Sequence, residues 1–274
     1  MKYGVVGSFG SAERIVDMGV AAEEAGWDGF FSWDGISVGP VDTFDPWVLL
    51  GAIATRTSRI RLGAMVFAVP RQQPWKLARE SITVDQLSNG RLVMPVGLGA
   101  SPDDAGFSRV SGGVTDRRTR AELLDDSLAI LDRAWTGETF SYQGTHHFVR
   151  DIVFQPKPIA QPRIPIWVVA AYGYPKSMSR AVRWDGVILG KPLNAPPFTP
   201  TEIRDAVAWI GEHRESDAPF EVIVEGVLPA GAEGADRAAG LAEAGATWWI
   251  ESHWDGPTSE PDNLLALIRS GPRG

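Results

Sequence analysis

The chain has 274 residues, 26 Lys and Arg against 34 Asp and Glu, a net charge of −8 and no cysteine. The absence of cysteine excludes a thiol nucleophile, and the scattered basic residues leave no electrostatic footprint for nucleic acid. The length suits one (β/α)8 barrel of roughly 250 residues. No charged-then-apolar leader precedes Tyr3, and no apolar run of about 18 residues spans a bilayer. The expectation is a single domain over residues 1–274, soluble and cytoplasmic, with neither nucleic acid nor membrane as a partner.

Residues 3–9 read as strand one, Ser11 as a helix N-cap, Ile15, Met18, Gly19 and Ala22 as a helical face, and Gly26 as its C′ stop. Residues 29–33 form strand two, Pro46 opens helix two, 60–67 give strand three, 75–87 helix three and 92–96 strand four. After a polar loop with Gly106, Gly112 and Gly113, residues 116–135 are helical, with Leu124, Leu128, Leu131 and Trp135 on one face. Residues 139–148 alternate and turn at Gln143-Gly144, which predicts a β-hairpin inserted before strand five.

Strand five follows at 164–170, a helix at 176–182, strand six at 187–189 and a Pro-rich loop at 192–200. Thr199, Pro200 and Glu202 stand in register for a capping box with an N1 proline, so a helix starts there and runs to about His213. Residues 221–225 are strand seven, 234–244 an alanine-rich helix and 246–251 strand eight, with Ser259 and Asp262 capping a last helix through Ile268. Strands alternating with helices in this way imply a closed parallel (β/α)8 TIM barrel. Chemistry in such a barrel sits at the C-terminal strand ends.

Three carboxylates fall at those ends: Asp34 after strand two, Glu225 after strand seven and Glu251 after strand eight. Any of them becomes a general acid or base if burial raises its pKa; capping a loop or pairing with arginine is the alternative. Eleven tryptophans is a high count. Trp33, Trp167, Trp248, Trp249 and Trp254 stand beside strand ends, where they line a planar-ligand pocket or fill core. His146, His147, His213 and His253 lack metal-ligand spacing, and no Gly-x-Ser-x-Gly elbow occurs. No metal is expected.

One ordered set of segments is more specific. It comprises residues 24–30, then 57–63 leading through Pro74 to 83–93 with Gly97 and Gly99, the 141–148 hairpin, and 164–168 followed by Asp185-Gly186. Together they resemble the luciferase-like flavin oxidoreductases. The resemblance implies a flavin-type ring across the ends of strands three and four, against a non-proline cis peptide near Met65, Val66 or Phe67. Gly97 and Gly99 would let backbone approach that ring, unless they are only turn glycines.

The cofactor phosphate would lie at the 170–176 join, served by Ala171, Tyr172, Gly173 and Lys176, with Lys191 near the same mouth. Flavin mononucleotide (FMN) and the 5-deazaflavin coenzyme both satisfy this pattern, and Arg71, Arg180 and Lys191 are rim candidates for the acidic tail of the second. The implied activity is an oxidoreductase that passes hydride to a small organic substrate, or one that activates oxygen for monooxygenation; the implied assembly is a homodimer. Two positions depart from the family. Gly35 stands where many relatives have histidine, and Ala100 where some deazaflavin dehydrogenases have glutamate. A flavin-binding barrel without turnover is therefore the alternative.

Overall fold

A capping side chain or an N1 proline opens every described α-helix but one, and these local signals set the chain's rhythm. The computed structural model describes residues 1–99, 104–110, 112–114, 116–192 and 194–272; Ala100 lies outside them. β1 (Lys2–Val6) leads to α1 (Ala12–Glu24), β2 (Gly29–Ser32) to α2 (Pro46–Ala54), β3 (Arg61–Ala64) to α3 (Pro74–Ser88), and β4 (Met94–Val96) to α4 (Arg117–Ala134). The antiparallel hairpin of β5 (Phe140–Gln143) and β6 (Phe148–Ile152) comes next. β7 (Ile166–Ala171), α5 (Pro175–Ala181), β8 (Gly186–Gly190) and α6 (Pro200–His213) resume the alternation. β9 (Glu221–Gly226), α7 (Ala232–Glu243), β10 (Trp248–Glu251) and α8 (Pro261–Arg269) complete it.

The eight parallel strands are ordered β3-β2-β1-β10-β9-β8-β7-β4. The two ends of that order meet: Leu62 N–H donates to Arg91 O at 3.1 Å and Val93 N–H to Leu62 O at 2.9 Å. Higher up, Phe67 N–H donates to Pro95 O at 2.9 Å and Gly97 N–H to Phe67 O at 3.1 Å. The result is the (β/α)8 barrel, without a long free edge. Beneath this seam the buried Arg91 guanidinium donates to the carbonyls of Ala54, Thr57, Ile60 and Ser88. The Glu23 carboxylate accepts the backbone N–H groups of Ser58, Arg59 and Ile60. Both tie the N-terminal rim together.

Alternation decides which side chains enter the barrel. Val6, Phe31, Met65, Val93, Trp167, Ile188, Ile223, Trp248 and Ile250 form the interior cluster, and the intervening residues pack against the helices. Phe31, Trp167 and Trp248 pack in tilted and edge-to-face pairs at ring separations of 5.1 to 6.3 Å and plug the N-terminal half. Facing glycines make room: a Cβ on Gly4 would meet Phe31 at 2.6 Å, and one on Gly186 would meet Trp167 at 2.7 Å. Among the described residues, side chains thus fill the N-terminal half of the barrel interior.

Two local expectations are corrected. The hairpin does not turn tightly at Gln143-Gly144: Gln143 pairs with Phe148, and the turn spans 144–147. The cause is distant in sequence, because Asp126 on α4 accepts the N–H groups of Thr145, His146 and His147 and the Tyr142 hydroxyl. At α8 the N-cap is Glu260 with no side-chain hydrogen bond. Ser259 donates instead to Gly256 O, and Asp262 pairs with Arg14 on α1. No helix among the described residues is long and apolar enough to cross a membrane.

Candidate active site at the barrel mouth

One half of the mouth is built from residues with little or no side chain. On β4, β7 and β8, the interior positions Val93, Val169 and Ile188 are followed on the same face by Gly97, Ala171 and Gly190. Ala171 and Gly190 are paired across the sheet. A Cβ on Gly97 would meet Val66 at 3.1 Å and Val169 at 3.3 Å, so Gly97 lies flush between them. The Met65-Val66 peptide is cis, at the position the family resemblance implies. Gly99 has φ +88, and the Arg71 guanidinium occupies the space a side chain there would need. Arg71 also lies 4.2 Å from the Phe107 ring centroid. Desolvation lowers its pKa to about 10 against the opposing attraction of Asp34.

The β7–α5 join continues this shelf. Ala171 N–H donates to Ser177 Oγ at 3.0 Å, and Tyr172 N–H to Gly190 O at 2.9 Å. Gly173 turns with φ +77, has open space where a Cβ would be, and among the described residues its N–H has no acceptor. Lys176 is exposed in the first turn of α5. Lys191 is held elsewhere, with Nζ 2.7 Å from Glu202 Oε1 and 4.5 Å from the Phe198 ring, which in turn meets Tyr172 edge to face at 5.6 Å. Arg180 is committed to a two-pronged pair with Asp125 at 2.7 and 3.0 Å. The Tyr172 hydroxyl pKa is raised, first by burial and then by Asp205 and Glu202.

The three carboxylates separate. Glu225 follows Ile223 on the interior face of β9 and accepts Trp254 Nε1–H at 3.0 Å. Burial raises its pKa against the hydrogen bonds from Trp254 and Ser252. Asp34 sits where β2 meets the segment after β3, accepting Ala68 N–H at 3.2 Å and Gln72 Nε2–H at 3.1 Å. Burial raises it too, with those bonds and Arg71 opposing. Glu251 follows Trp249 on the helix-facing side, 2% exposed, and holds Leu228 N–H, Trp249 Nε1–H and the His253 ring at 3.2, 2.8 and 2.8 Å. Glu225 thus lies on the interior face and Asp34 at the seam between the ends of β2 and β3, while Glu251 buttresses the loops behind.

The tryptophans divide likewise. Trp167 and Trp248 plug the interior, Trp249 packs under the helices, and Trp33 and Trp254 stand at the rim with Phe9. Ser8, fully buried two residues beyond Val6 on the interior face, has a hydroxyl with no hydrogen-bond partner. The sequence reading passed over Ser8 and Phe9, although the Gly4, Val6, Ser8 alternation points the serine inward. Among the described residues no group of His, Asp or Glu is arranged to hold a metal ion.

The fold and this mouth define a (β/α)8 barrel with a backbone-lined shelf on β4, β7 and β8, flanked by two half-buried carboxylates, Glu225 on the adjoining β9 and Asp34 after β2. The family model described as luciferase-like monooxygenase matches residues 3–266, and the chain belongs to that family. It is 39% identical over 129 residues to an uncharacterized protein of Mycobacterium tuberculosis, covering 47% of this chain and 44% of that one. It is 30% identical over 171 residues to the F420-dependent glucose-6-phosphate dehydrogenase of Microbacterium testaceum, covering 60% and 48% respectively. These matches span about half the length of the curated relatives. An F420-dependent secondary alcohol dehydrogenase, solved with an F420-acetone adduct, superposes with a TM-score of 0.77 at 13% identity over 99% of both chains. That likeness shows the fold.

Proposed function

We propose that the protein is an oxidoreductase that binds FMN or the 5-deazaflavin coenzyme on the shelf and acts on a small organic substrate held beside it. The observation that carries this reading is the run of Gly97, Ala171 and Gly190 on three neighbouring strands, ending in the open Gly173 turn. A planar ring needs an approach unobstructed by side chains, and a phosphate needs free donors and a cation. Met65, Val66, Gly97 and Gly99 would bed the ring. Ala171, Tyr172, Gly173 and Lys176 would take the phosphate, with Lys191 supporting Tyr172 through Phe198. Arg71, beside Gly99 and Asp34, is the remaining one of the three cations read for an acidic tail, since Arg180 and Lys191 are paired with Asp125 and Glu202.

When bound, the coenzyme supplies hydride transfer or, as reduced flavin, oxygen activation. The chain's own part is to exclude water, orient the substrate and move a proton. Asp34 and Glu225 suit that last task, since burial raises the pKa of each above the ordinary carboxylate value. Glu251 acts through the loops it holds. Gly35 supplies no proton-transfer group beside Asp34, which supports the second reading of a flavin-binding barrel without turnover. By family likeness the working assembly is a homodimer.

Calorimetric titration with FMN and with the 5-deazaflavin coenzyme, each oxidised and reduced, tests the proposal. Saturable binding of one coenzyme is the expected result, and substrate-dependent oxidation of its reduced form separates the enzyme from the inert barrel. Failure to bind either coenzyme overturns both readings.

A further inference from the structure

Across the mouth from the shelf, Phe9, Trp33 and Trp254 make a three-walled corner. Their ring centroids are 6.3, 6.4 and 6.4 Å apart and their planes meet at 70°, 78° and 88°. Both indole N–H groups are tied back into the barrel, Trp33 to Ser8 O at 2.5 Å and Trp254 to Glu225 Oε1 at 3.0 Å. That fixes the two indoles by their polar edges. Trp254 is 42% exposed, so the corner is open to solvent.

We propose that this corner binds a small organic cation, a protonated amine or quaternary ammonium group on the substrate. It rests on the functional reading only in taking that cation to belong to the substrate. Perpendicular aromatic faces attract a cation through their ring quadrupoles. Beside them Glu225 has no cationic side chain paired with it among the described residues. Next to Phe9, Ser8 is fully buried and its hydroxyl has no hydrogen-bond partner. Lys191 is already paired with Glu202, whereas the Glu225 carboxylate is bonded to Trp254 of the corner. A neutral aromatic substrate would use the rings but would leave the carboxylate without a counter-charge.

The test compares choline with its uncharged isostere 3,3-dimethylbutan-1-ol, using ligand-observed NMR titration of the full chain, with and without coenzyme. Choline should bind at least about tenfold more tightly, since only the cation gains from ring faces and carboxylate. Glu225→Gln should erase most of that preference, and Trp254→Leu should weaken choline at least about fivefold. Equal binding of the two probes, no binding of choline, or unchanged preference in both variants overturns the proposal. Should Glu225→Gln fail to fold, Phe9→Leu and Trp33→Leu carry the same test. Because the titration also runs without coenzyme, loss of the cation preference and loss of the flavin reading are separate results.

Discussion

Replacing Gly173 by Asn and by Asp separates backbone cost from charge at the proposed phosphate site. Gly173 has φ +77 with nothing near its missing Cβ, so both side chains fit, and both pay the left-handed backbone cost of about 1 kcal/mol. Each variant should therefore lose roughly 2–4 °C in melting temperature relative to the parent. Only Asp adds a charge. Against a phosphate of about −2 at roughly 5 Å, with an effective dielectric of about 40–80, repulsion is roughly 1.7–3.3 kcal/mol. Calorimetry should find FMN bound roughly 15- to 250-fold more weakly by Gly173→Asp than by Gly173→Asn. Riboflavin, which has the ring without the phosphate, should hardly distinguish the two, and added salt should narrow the FMN gap. Equal FMN affinities, or an equal riboflavin gap, would refute a phosphate at this turn.

Other consequences are testable without ligand. Trp248→Ala opens a void in the aromatic plug and should cost about 3–5 kcal/mol in denaturant titration, against little effect from truncating exposed Val48. Asp126→Ala strips acceptors from three turn N–H groups and the Tyr142 hydroxyl and should cost about 2–4 kcal/mol. Burial first, then Asp126, pushes Tyr142 up to about 12, so the same variant should shift one of the four tyrosines toward 10 in an ultraviolet pH titration. Burial pushes Glu23 up, but the N–H groups of Ile60, Arg59 and Ser58 hold it below 4.5 overall. Its stabilisation is then present above 4.5 and lost as pH falls through the depressed value, and Glu23→Gln should flatten that acid-side loss in pH-dependent melting curves.

Short-range chemistry was legible in the chain alone. The Thr199, Pro200, Glu202 box opens α6 as read, because every group in a capping box lies within one helical turn. Strand and helix alternation gave the closed barrel, and the ordered family segments located the Met65-Val66 peptide. The hairpin's existence followed from its own alternation, while the length of its turn belongs to Asp126, many residues upstream.

What the sequence by itself determined is the rhythm of elements and the rim on which chemistry gathers. Only the tertiary structure decided which rim residues face one another. Strands of a parallel barrel are buried on both faces, so their apolar runs do not mark which side is interior. Glu225 and Glu251 both end strands and look alike in the sequence, yet one lies on the interior face and the other on the side of the helices. Lys191 and Arg180 read as free rim cations until Glu202 and Asp125 are brought against them. The aromatic corner joins Phe9, Trp33 and Trp254 from β1, β2 and β10 ends, neighbours only because closing the sheet sets β1 between β2 and β10.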